Sequence, residues 1–109
     1  MTTIYFSVTK SAGGELVTTP ASATVLTRNT TLEFTLDSAA AKEFKLTGYT
    51  TSDTQNQLGP AKISGNGNSM NVTDSNSAAG TFNVCVTAEV RSSGQPANSD
   101  PQITNIPPD

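Results

Sequence analysis

Nine carboxylates, no histidine and a single cysteine bound the chemistry open to this chain of 109 residues. Without histidine, no ordinary Ser-His or Cys-His nucleophile pair can form. Two of the nine acids could in principle serve glycoside hydrolysis, but their spacing singles out no pair. No catalytic residue is therefore expected, and the chain reads as non-enzymatic. Calcium is the one chemistry that the loops suggest. Asp53, Asp74 and Asn76, with Asn29, fall in segments that a β-sandwich would gather at one end, and calcium takes six to eight oxygens of this kind. Against that, no EF-hand loop or repeated Asp-x-Asp pattern is present, and turn formation accounts for Asp74 and Asn76 by itself. Turn former is the primary reading, with no metal and no cofactor. A loop-end ligand or calcium site is the alternative.

Cys85 cannot form an internal disulfide. It lies out of phase with Phe82, Val84 and Val86, so it belongs to the polar face of its strand, and acidic Glu89 is its neighbour in phase. A reactive thiol needs an electropositive setting, so Cys85 is expected to be idle.

The elements that must position these groups are strands. From Thr81 to Val90 the chain alternates without a break: Phe82, Val84, Val86, Ala88 and Val90 against Thr81, Asn83, Cys85, Thr87 and Glu89. That is a long strand with one buried and one wet face. Ile4, Phe6 and Val8 open the chain in the same way, and Leu32, Phe34 and Leu36 repeat it. Phe44, Leu46 and Gly48 alternate with Lys45, Thr47 and Tyr49, which places Tyr49 outward. Glu15 to Thr19 is a short strand cut by Pro20, and extended structure resumes around Val25. Gly65-Asn66-Gly67-Asn68 turns a hairpin between Ala61–Ser64 and Ser69–Val72. Asp37 or Ser38 caps a one-turn helix through Lys42. Thr50 to Pro60 and Arg91 to Ser99 read as polar loops, and Asp100 to Ile106 as a last strand. About seven strands with almost no helix predict a single antiparallel β-sandwich over residues 1–109, a small β-barrel being the alternative. Parallel pairing would call for crossover helices that this chain lacks.

Composition agrees with a lean, folded β-domain. Leu, Ile, Val and Phe number 21 of 109 residues, close to the range of disordered chains. Disorder also needs high net charge, and −3 is small. The six basic residues are scattered, which argues against nucleic acid. No apolar run is long enough to span a membrane, and no signal peptide is visible, so the compartment is unassigned and cytoplasmic by default.

The run Asp74…Gly80-x-Phe82-x-Val84-x-Val86 resembles the corner and following strand of an immunoglobulin-like domain. Phe82 stands where that corner has tyrosine, and Val84 where antibody domains have a disulfide cysteine. The tail, Asp100-Pro101-x-Ile103-x-Asn105-x-Pro107, together with this corner and the opening strand, is similar to the DP-EP family of small bacterial proteins. Ile106 precedes Pro107, so the Glu-Pro half of that signature is absent. The resemblance implies one compact β-domain of bacterial type and carries no activity. What remains is an interaction or structural module, with a protein partner or self-association through an edge strand. Pro20, Pro101, Pro107 and Pro108 would protect such edges.

Overall fold

Strand alternation builds two packed sheets in the computed structural model, which describes residues 2–108. Met1, in the opening strand of the family resemblance, and Asp109 lie outside the described residues. In chain order come β1 (Thr3–Lys10), β2 (Leu16–Thr19), β3 (Ser22–Val25), β4 (Thr30–Leu36), α1 (Ser38–Glu43) and β5 (Phe44–Thr51). They are followed by β6 (Lys62–Ile63), β7 (Ser69–Asp74), β8 (Gly80–Val90), β9 (Pro96–Ser99) and β10 (Gln102–Asn105). One sheet runs β2-β1-β4-β7-β6; the other runs β3-β10-β8-β5, with β9 extending the β10 side of β8. Neither sheet closes on itself, so the all-β sandwich holds and the barrel does not.

The inward faces are those that alternation assigns. Val8, Leu32, Phe34, Met70 and Val72 from one sheet meet Val25, Val84, Val86 and Ile103 from the other, all fully buried. Phe6 and Phe34 are register partners on neighbouring strands, and their rings stack with centroids 4.7 Å apart. Each such side chain contributes roughly 1.5–3 kcal/mol on burial. The lean core is therefore efficient, with Thr, Ser and Asn confined largely to the wet faces.

Three expectations change. First, two pairings are parallel, β1 with β4 and β3 with β10. No crossover helix is needed, because the chain leaves the first sheet after β2, crosses at Pro20 to run as β3 in the other, and returns as β4. Second, the polar stretch after Arg91 is not all loop. Its second half forms β9 against β8, with Pro96 in the first position, where a missing N–H does not matter on an edge. Third, the register of β5 against β8 slips between Leu46 and Gly48. The slip turns Tyr49 toward the core margin, whereas strict alternation places it outward. The short helix does form: Asp37 caps it by accepting from the Ala40 N–H at 2.8 Å.

Candidate functional site

Both ends of β8 carry polar loops, and they are built differently. At its start, β7 ends on Asp74 and the chain must turn before Gly80. Asp74 Oδ1 accepts from the Asn76 N–H at 2.9 Å, an Asx turn, and Asn76 takes the left-handed conformation at φ 52°. The turn-forming role is as the spacing implies. Its burial is not: Asp74 and Asn76 are fully enclosed, and Gln57 and Asn105 beside them nearly so.

Asp74, Gln57 and Asn105 form one side-chain network, which Asn76 joins through its backbone N–H. The Asn76 Nδ2 group donates to the carbonyls of Val25, Thr27 and Ile106, tying the ends of β3 and β10 to the corner. Asn105 Nδ2 donates to Asp74 Oδ1 and to Gln57 Oε1, each at 2.9 Å. Gln57 Oε1 also accepts from the Ala78 N–H, and its backbone carbonyl accepts from the Ser75 N–H. The Asn29 N–H reaches the Ser75 carbonyl at 3.3 Å. The three loops that a sandwich should gather are gathered.

Asp53 joins only at second hand. Its two oxygens accept from the Gln55 and Gln57 N–H groups and from Gln57 Nε2, so it fastens its own loop. Burial tends to raise its pKa, but the bonds from Gln57 and Gln55 outweigh this and hold it below the ordinary 3.8. Asp74 goes the other way. Burial raises its pKa above 3.8 despite the bonds from Asn105 and Asn76, and the charge of Asp53 pushes in the same direction. Tyr49 packs beside this loop and donates its hydroxyl to the Gly59 carbonyl. Burial and the charge of Asp53 both raise its pKa.

At the far end of β8, Arg91 organises the loops. Its Nε donates to the Ala41 carbonyl at 2.9 Å, and an Nη to the Asn66 carbonyl at 2.7 Å and to Asn68 Oδ1 at 2.9 Å. Helix and hairpin are thereby held in one surface. Next to it lies an open groove of about 580 Å³, lined by Lys45, Thr47, Ile63, Gly65, Asn66 and Glu89 among others. Lys45 and Glu89 pair in it at 2.9 Å, and Gly67 sits so close to Lys45 that a Cβ would lie 2.7 Å from the Lys45 Cβ. Cys85 is half-buried at mid-strand on the outward face.

Of the sequence candidates, Asp74 and Asn76 come together, Asp53 connects to them through Gln57, and Asn29 stands at the rim. Gln57 and Asn105 were not foreseen as partners. For Asn105 a signal existed, since it follows Ile103 by two on an alternating strand and so had to face inward. Gln57 lies in an aperiodic loop and left none. Among the described residues, no group of three or more His, Cys, Asp or Glu side chains could hold a metal, and no helix is long and apolar enough to cross a membrane. No curated protein matches the chain. The family model described as DP-EP matches residues 1–107, nearly the full length, and the chain belongs to the DP-EP family.

Proposed function

We propose that this chain is a non-catalytic, immunoglobulin-like interaction module that meets a protein partner at the Arg91 end. The observation that carries this reading is the Arg91 side chain itself. By holding the Ala41 carbonyl, the Asn66 carbonyl and Asn68 Oδ1, it fixes the loops beside the groove before any partner arrives. Preformed loops lose less entropy on binding. The Ser, Asn and Gly lining suits polar recognition more than an aromatic anchor. Catalysis is disfavoured because the carboxylate with a raised pKa, Asp74, is fully enclosed, and both oxygens of Asp53 are engaged by its own loop. Self-association by strand pairing at β6, β9 or β5 is disfavoured too. Two-residue β6 and proline-led β9 blunt their edges, and the hairpin covers part of β5 through the bond from the Leu46 N–H to the Gly67 carbonyl.

Gly65→Arg tests the reading. Nothing lies within 4 Å of a Cβ at Gly65, so the substitution fills the groove mouth without straining the fold. Affinity capture from the native cell, followed by titration of the purified partner, should show binding weakened at least about tenfold, or 1.4 kcal/mol. Equal capture and equal affinity for the variant would remove the groove from the account.

A further inference from the structure

We propose that the enclosed cluster at the start of β8 binds a hard cation through Asp74 Oδ2, Asn76 Oδ1 and Asn105 Oδ1. These three buried oxygens accept no hydrogen bond from any described residue. Buried polar atoms are satisfied in roughly nine cases of ten, so three orphans in one bonded network call for a common cause. The donors nearest these oxygens are largely committed. Both hydrogens of Asn105 Nδ2 go to Asp74 Oδ1 and Gln57 Oε1, the Asn76 N–H goes to Asp74 Oδ1, and one of the two Gln57 Nε2 hydrogens goes to Asp53. Rotating the amides does not help. A flipped Asn76 would aim its oxygen at three carbonyls, and a flipped Asn105 would aim its own at a carboxylate and an amide oxygen.

Charge adds a second reason. Asp74 is fully enclosed and forms no ion pair among the described residues, whose salt bridges are Lys10–Glu43 and Lys45–Glu89. An enclosed carboxylate without a counter-charge is costly. A water molecule could satisfy oxygens but would leave the charge. A proton on Asp74 would remove the charge but donate a single bond, leaving one amide oxygen or both unmet. A cation neutralises Asp74 and takes all three oxygens as ligands. Carboxylate and amide oxygens, with no sulfur or imidazole, select a hard ion. Calcium takes six to eight oxygens in irregular geometry, so these three side-chain oxygens would supply part of its shell and water or backbone carbonyls the rest, whereas magnesium demands a near-ideal octahedron. This inference is independent of the groove reading, since the two lie at opposite ends of β8.

The test uses the full chain, stripped with a chelator and exchanged into tetramethylammonium buffer, then melted with added calcium, sodium or magnesium chloride. Calcium at about a hundred times its Kd should raise the melting temperature by roughly 10 °C, and elemental analysis should find about one equivalent bound. A rise with sodium alone would keep the site and change its ion. Asp74→Asn should lose the response. No rise beyond that given by tetramethylammonium chloride, or an equal rise with all salts, would overturn the proposal. Both outcomes are read on the native chain, so a variant that fails to fold leaves the test intact.

Discussion

The same local device appears at both ends of this molecule with opposite consequences. Asp74 Oδ1 accepts from the Asn76 N–H at 2.9 Å, and Asn66 Oδ1 accepts from the Asn68 N–H at 3.0 Å. Each is an Asx turn beside a strand end. The first is sealed beneath Gln57 and Asn105; the second stands in the open next to the groove. The comparison teaches that turn chemistry fixes the local backbone, while remote residues decide whether a turn becomes core or surface. One end therefore carries stability, and the other is free to carry recognition.

The sharpest break of this contrast lies between the ends, in the core strand itself. Val84 is fully buried. Val84→Asp places an uncompensated charge there and should cost several kcal/mol, on the order of the whole stability. Circular dichroism should find the variant unfolded at 25 °C. Next come the two ends as a pair. Asn76→Ala leaves the Ile106 carbonyl without its donor, takes one bond each from the Val25 and Thr27 carbonyls, which keep the Ile106 N–H and the Thr30 hydroxyl, and puts a non-Asn residue at φ 52°, for a loss of about 3 kcal/mol in chemical denaturation. Arg91→Ala removes bonds to solvent-exposed acceptors and should cost about 1 kcal/mol. Equal losses would erase the distinction between the ends.

The pH dependence separates the two acids at the enclosed end. Asp74 has a raised folded pKa, so in cation-free buffer its ionisation penalises the fold. Stability from this group grows as pH falls through the folded value toward 3.8, and Asp74→Asn should remove that part of the profile. Asp53 has a lowered value. Its contribution is present above 3.8 and is lost only as pH falls through its own folded pKa, below 3.8. Melting curves across pH 2 to 7 on wild type, Asp74→Asn and Asp53→Asn would resolve the two signs. The smallest effect is expected at Cys85, on the outward face of β8: Cys85→Ser should shift stability by less than about 0.5 kcal/mol.

Most of the sandwich is legible in the chain because its cause is local. The alternation of Phe82, Val84 and Val86 and that of Leu32, Phe34 and Leu36 require one buried face, and both faces are where the pattern puts them. The hairpin at Gly65 to Asn68 and the cap at Asp37 are equally local. What escaped depends on pairing between distant segments. The parallel partners β1 and β4 become neighbours through the excursion across Pro20, which no alternation records. The slip at Leu46 and Gly48 appears only against β8, and with it the inward turn of Tyr49. At the candidate site, Asp74 and Asn76 were visible as turn formers, yet their burial was not, because Gln57 and Asn105 close over them from loops and strands far along the chain. Polar composition alone cannot distinguish a solvated corner from an enclosed one.

Native-state hydrogen exchange at the Asn76 and Asn68 amides tests this contrast most directly. Both amides donate to the side chain two residues earlier, so their local chemistry is matched. If the Asp74 end is core, the Asn76 amide opens only with global unfolding, and its exchange free energy lies within about 1 kcal/mol of the denaturation value. The Asn68 amide should exchange through local opening, several kcal/mol lower. Comparable protection at the two amides, or faster exchange at Asn76, would contradict the account.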